Sequence, residues 1–246
     1  MLPGWTARTS DALTPRDIGA TLVRYRRGVD LGDATWPEID HVKVVVVVPV
    51  GSCEQHGPHL PLTTDAIVAE ALARDLAARR ADCLVAPTVA ITASGEHQGF
   101  PGTLSIGNEA MYQVVVELVR SADWAAGVVL VNGHGGNVAA VDRAVAQLEG
   151  EGRRVLAWWP RVADGDPHAG HTETSLMLAV RPDLVRLERA EPGPIPSAAD
   201  LVRKGVWALS ATGVLGDPRD ASAEHGAELF GQLADDLARA VDVWLT

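Results

Sequence analysis

Val44-Val45-Val46-Val47-Val48, running on through Pro49 to Val50, is the stretch that decides how the rest of the chain is read. Five consecutive β-branched residues with no polar alternation predict a strand covered on both faces, the situation of a strand inside a parallel sheet. Downstream, residues 66–80 carry Val68, Leu72 and Leu76 at helical spacing, and Cys83 to Val89 predicts a second strand. Residues 108–122 predict a helix through Met111, Val115, Leu118 and Ala122, and Gly127 to Val131 a third strand. Asn137 is placed to cap a helix bearing Val138, Val141, Val145 and Leu148, and Val155 to Trp159 predicts a fourth strand. A further helix begins at Glu173, and a last one from Glu224 repeats Phe230, Leu233, Leu237, Val241 and Trp244. Strand and helix alternate throughout, which predicts an α/β fold with a parallel sheet and helices on both its faces.

The flanks are less regular. Residues 1–40 read as an N-terminal arm with a short helix near Pro15 to Arg26, and residues 190–222, rich in Pro and Gly, as a partly structured excursion. No repeat or composition break divides the chain, so residues 1–246 are expected to form a single domain. Hydrophobic residues make up 47% of the chain, which excludes disorder, and 21 basic against 32 acidic residues give a net charge of -11, which argues against a broad nucleic-acid-binding surface. Cys53 and Cys83 form no CxxC pair and no disulfide framework. The first residues lack an apolar core of signal-peptide length, and the valine run is far too short to span a bilayer; a soluble, cytoplasmic protein in a reducing compartment is expected.

In open α/β sheets ligands bind beyond the carboxyl ends of the strands, so the segments that follow each strand matter most. They are GSCEQHGPHLPLTTD (51–65), SGEHQGFPGT (94–103), NGHGGN (132–137) and DPHAGHTETS (166–175), and they hold six of the eight histidines. Imidazole and carboxylate are the ligands that zinc and manganese favour. Glu54 and His56, two apart on an extended loop, can face one way; Asp65 precedes a helix; glycines flank His134; Glu173 opens a helix. Three carboxylates and two histidines suffice for two ions if one carboxylate bridges them. Each residue also has a plainer reading: Asp65 as a helix cap, Glu173 as a partner for a helix dipole, His134 as a buried, hydrogen-bonded histidine. Trp158 and Trp159 read as core, His59 and His171 as residues outside the ligand set, and His225 as a local cap or partner ahead of the last helix.

GSCEQHGPHLPLTTD resembles the long signature motif of the creatininase family, and GFPGT, NGHGGN and HAGHTETS resemble three further family motifs, in the family's order, together spanning about Val44 to Leu178. The resemblance implies a three-layer αβα sandwich, two divalent ions (zinc or manganese, iron being possible) and hydrolysis of an unusual amide C–N bond. It implies metal ligation by Glu54, His56, Asp65, His134 and Glu173, with Asp65 as the bridge, and proton transfer by His168. One position departs from the pattern: members that act on creatinine have an acidic ligand two residues after the NGH histidine, where this chain has Gly136. Glu173 is the expected replacement, and the departure argues against creatinine as substrate. HAGHTETSLML, the run from Arg189 to Gly193, and GVLGDPRDASAEHG are similar to the family's peptidase branch in mycofactocin maturation, which releases the C-terminal Val-Tyr-derived portion of a modified precursor peptide.

The expected chemistry is attack of an ionised water on an amide carbonyl, with His168 protonating the leaving nitrogen, His97 assisting or binding substrate, and Gln55 and Asn132 orienting ligands. The expected partners are a modified precursor peptide or a small amide substrate and, as family members commonly form closed homo-oligomers, further copies of the chain. Cyclic-amide or formamide hydrolysis is the alternative within the same chemistry, and a metal-binding scaffold the alternative outside it. A dinucleotide-dependent oxidoreductase is excluded, because GSCEQHG holds no G-x-G-x-x-G.

Overall fold

The valine run forms the central strand expected of it. In the computed structural model, which describes residues 30–40 and 42–246, Val45–Val50 (β1) lies between Cys83–Val85 (β2) and Gly127–Asn132 (β3), and β3 pairs in turn with Val155–Trp158 (β4). All three pairings are parallel, in the order β2-β1-β3-β4, with Val47 opposite both Val85 and Val129. Successive side chains of a strand point to opposite faces. Val45 and Val47, with Val129 and Val131, pack beneath Thr64–Arg79 (α2), His171–Val180 (α5) and Ala223–Leu245 (α7). Val46, Val48 and Val50, with Val128 and Leu130, pack beneath Gly107–Ser121 (α3) and Val138–Gly150 (α4). Val47 and Val48 are both 0% exposed, so both faces of the strand are covered and the sandwich has three layers.

Several local expectations are corrected. The second strand ends at Val85 rather than Val89, because Pro87 has no N–H to give the ladder; Val89 returns only as an isolated bridge to Val50. Asn137 caps nothing with its side chain: its Nδ2 donates to the Gly51 carbonyl and its Oδ1 accepts from the Ala93 N–H, tying three of the polar loops together. Asp65 lies inside the first turn of α2, which begins at Thr64, so it is no N-cap. His225 falls within α7 rather than ahead of it, and Ser222 caps that helix by accepting from the His225 N–H. The 190–222 excursion contains a helix, Ala198–Leu209 (α6), capped by Ser197 and kinked where Gly205 takes φ 69°. The end of the arm holds a 3-10 turn at Leu31–Asp33 and Trp36–Ile39 (α1), while the helix expected near Pro15 to Arg26 lies outside the described residues. No helix among the described residues is long and apolar enough to cross a membrane.

Candidate metal centre

The parallel sheet brings all four polar segments to its carboxyl edge. Glu54 and His56 follow β1, Asp65 projects from the first turn of α2, Glu96 and His97 lie on the 3-10 turn Gly95–His97, His134 follows β3, and His168 and Glu173 flank the start of α5. Glu54, His56, Asp65, His134 and His168 are buried, and Glu173 is partly exposed.

Asp65 stands at the middle. Its Oδ1 is 3.0 Å from His56 Nε2, and its Oδ2 is 3.1 Å from His134 Nδ1 while accepting the Ser52 hydroxyl at 2.8 Å. One carboxylate therefore faces two histidines from opposite sides. Each histidine is oriented from behind by a carbonyl, which accepts and never donates: His56 Nδ1 donates to the Glu54 carbonyl at 3.1 Å, and His134 Nε2 to that of Ala93 at 2.9 Å. The nitrogens left for a ligand, His56 Nε2 and His134 Nδ1, are those that face Asp65.

Glu54 supplies the strongest sign of a cation site. It is 0% exposed, and neither of its carboxylate oxygens accepts a hydrogen bond. His97 Nε2 and His134 Nδ1 both come within 3.2 Å of Oε1 without hydrogen-bond geometry, so the groups converge on shared space rather than on one another. A buried carboxylate with unmet acceptors is costly unless a cation meets it. The ligand atoms of Glu54, His56 and Asp65 lie within 4.8 Å of one another, as do those of His56, His168 and Glu173. Asp65 with two further carboxylates, Glu54 and Glu173, and the imidazoles of His56 and His134 suits two ions of the zinc or manganese type.

Protonation follows the same crowding. Burial disfavours the His56 cation, but Asp65, Glu173 and Glu54 outweigh it and raise its pKa to about 10. His134 is likewise held well above the usual range against its burial by Asp65, Glu54 and Glu96, and Asp65 is depressed despite its burial by the same two histidines. Glu173 moves the other way: burial and the nearby Asp65 exceed the pull of His56 and raise it to about 7. His168 is pushed well below its usual range by burial and by His56 and His97, so it is neutral.

Gln55 connects the histidines. Its Oε1 accepts the Gly57 N–H at 2.9 Å, so Nε2 is the donor aimed at His97 Nδ1 (2.9 Å) and the Gly213 carbonyl (3.2 Å). His168 Nε2 donates to the Gln55 carbonyl at 2.8 Å, leaving its Nδ1 free, 4.0 Å from Glu173 Oε2. Glu173 Oε2 in turn accepts the Ala169 N–H at 2.6 Å, at a residue with φ 51°. Asn132 orients the His134 loop, its Nδ2 donating to the His134 carbonyl at 2.9 Å.

A cavity of about 1140 Å³ opens over these groups. Its walls include Glu54, Asp65, His134, His168 and Glu173 on one side and residues 201–207 of α6 on the other. Trp207, 58% exposed, meets Phe100 edge to face at 4.8 Å. Two predicted bystanders lie apart from the cluster: His59 is fully buried with Nε2 2.9 Å from the Thr174 hydroxyl, and His171 pairs with His225 at 2.8 Å. The residue that sequence reasoning passed over is Glu96, whose Oε1 is 3.3 Å from His134 Nε2. Its only sequence signal is its place beside His97 in the segment after the second strand.

Comparison with known proteins agrees with this arrangement. A family model described as creatininase, creatinine amidohydrolase, matches residues 32–241. A mycofactocin precursor peptide peptidase of Mycobacterium tuberculosis (strain ATCC 25618 / H37Rv) is 48% identical over 231 residues, covering 88% of this chain and 92% of that protein. The zinc–zinc form of a mutant creatininase superposes with TM-score 0.74 at 28% identity, and a manganese creatininase with TM-score 0.73 at 27%; each comparison covers 87% of this chain and 97% of the other.

Proposed function

The chain belongs to the creatininase family, and from that premise we propose that it is a two-metal amide hydrolase acting as a peptidase on a modified mycofactocin precursor peptide. The observation that carries the metal-dependent reading is the fully buried Glu54 carboxylate, neither oxygen of which accepts a hydrogen bond, beside an Asp65 carboxylate shared between His56 and His134. Glu54, Asp65 and His134 would hold one zinc or manganese ion, and His56, Asp65 and Glu173 the other. Divalent ions in such a site supply Lewis acidity and ionise water near neutral pH.

The remaining work falls to the chain's own groups. His168 is neutral, with Nδ1 free on the side of Glu173, so it accepts a proton there and passes it to the departing amide nitrogen. Glu173, raised to about 7 in the metal-free protein, gives up its proton on taking an ion, and its Oε2, 4.0 Å from His168 Nδ1, faces that imidazole as a carboxylate. Gln55 keeps His97 with Nε2 toward Glu54 and leaves the His168 tautomer to its own carbonyl. The peptide substrate is supported by the 48% identity to a protein of that name and by the cavity, larger than the ~300–1,000 Å³ usual for small-ligand pockets. We take residues 1–246 as one catalytic domain, working in the cytoplasm as a closed homo-oligomer.

The test is incubation of the metal-loaded protein with creatinine and with precursor peptide already modified at its Val-Tyr end, followed by mass spectrometry, with His134→Ala as control. Cleavage of the peptide alone, by the wild type alone, is the expected result. Opening of creatinine alone would overturn the peptidase reading and leave the amide hydrolase.

A further inference from the structure

Residue 136 has no side chain, and the space one would fill is already taken. A Cβ built on Gly136 lands within the Glu96 carboxylate, against Oε1, and also against His134 Nε2. The two residues come from different loops, Gly136 from the turn after β3 and Glu96 from the 3-10 turn Gly95–His97. Glu96 thus brings a carboxylate to the place where residue 136 would otherwise put its own side chain.

We propose that Glu96 is the positioning residue of the metal centre, acting through His134. The inference rests on the metal-dependent reading above and deepens it. The ligand atoms of Glu54, Glu96 and His134 lie within 4.8 Å of one another, yet two features favour positioning over ligation. The His134 nitrogen that Glu96 approaches is Nε2, whose proton is committed to the Ala93 carbonyl at 2.9 Å, with Glu96 Oε1 3.3 Å away on the same side. The opposite nitrogen, Nδ1, is the one that faces Glu54 and Asp65. A carboxylate behind a ligating imidazole locks its tautomer and ring plane and strengthens the nitrogen that meets the ion.

The backbone of Glu96 is itself held. Gly205, at the kink of α6, sits so close that a Cβ there would be 2.9 Å from the Glu96 carbonyl oxygen, and its φ of 69° admits few other residues. The wall of the cavity therefore bears directly on the turn that carries Glu96. The unmet oxygens of buried Glu54, which share His134 with Glu96, mark the ion this positioning serves.

The experiment uses the full chain, stripped of metal and titrated with zinc against a competing chelator, with metal content measured independently. The wild type is expected to bind two ions. Glu96→Ala is expected to weaken one of the two by roughly 10–100-fold, and Glu96→Gln by less, because the amide oxygen keeps a partial negative charge beside Nε2. The cobalt-substituted Glu96→Ala protein, fully loaded, should keep the wild-type absorption per ion, since no ligand has gone. A double-mutant cycle guards against a folding artefact: His134→Ala should weaken the same ion, and the double variant Glu96→Ala/His134→Ala should be no weaker than His134→Ala alone, because Glu96 acts only through that imidazole. Unchanged zinc affinity in Glu96→Ala, additive losses in the cycle, or a cobalt spectrum altered per ion would each overturn the proposal, the last by making Glu96 a ligand. A wild type that binds no ion would instead overturn the metal-dependent reading itself.

Discussion

His56 Nε2 and Asp65 Oδ1 meet at 3.0 Å with both side chains buried, an ion pair between two of the residues proposed above as metal ligands. Without metal the proton on His56 substitutes for the positive charge of an ion. Because the folded-state pKa, about 10, lies above the unfolded value near 6.5, the pair stabilises the metal-free protein fully below about pH 6.5. That stabilisation is lost as pH rises through 10. Melting temperatures of the metal-free protein should fall over this window, and His56→Gln should flatten the fall. An equal slope in wild type and variant would refute the assignment.

The same protons must leave when ions enter. Zinc titration at pH 7.5 in two buffers of different ionisation enthalpy should therefore report proton release. Identical heats in both buffers would show that His56 and His134 are already neutral.

Asp65→Asn should be the most damaging single change at the centre. It removes the charge that faces both histidines, so both ions should weaken together, whereas His134→Ala should mainly affect one. Breaking one side of a buried pair costs about 3–5 kcal/mol, so the metal-free variant should also melt several degrees lower. Loss of only one ion would show that Asp65 does not bridge.

His168→Ala should leave metal content intact, since neither metal set assigned above includes it, and reduce kcat by roughly 10²–10⁴-fold. A variant of undiminished kcat would remove His168 from the proton path.

Trp207→Ala touches neither ligands nor their supports. Its indole lies on the cavity wall against Phe100, so KM for the modified peptide should rise several-fold with kcat and metal content unchanged. A fall in kcat alone would place Trp207 in the catalytic step instead.

The sheet was legible because Val44 to Val48 is a short run of β-branched residues with no polar alternation, which suits a strand buried on both faces. The polar loops followed from strand direction alone, which is why Glu54, His56, Asp65, His134 and Glu173 come together as expected. What escaped depends on contacts between loops. Glu96 matters because Gly136, forty residues away, leaves room for it, and no local pattern records that vacancy. Asn137 looked like a cap because Asn before an apolar helix usually is one, yet its amide is used to join Gly51 and Ala93. In α6 the start signal, Ser197 followed by Asp200, was obscured by Pro194 and Pro196 just before it.

The kink at Gly205 divides the labour of the molecule in a way that bears on its history. The groups proposed to hold ions lie on loops after buried strands and in the first turns of α2 and α5, packed against the core, while the facing wall is a surface helix whose Val202 and Trp207 are largely exposed. Drift in that helix can remodel the substrate's entrance at little cost to folding, provided the glycine that leans on Glu96 stays. Lineages built on this scaffold can therefore trade one amide for another by editing the exposed positions of that helix, inheriting the reactive centre unchanged.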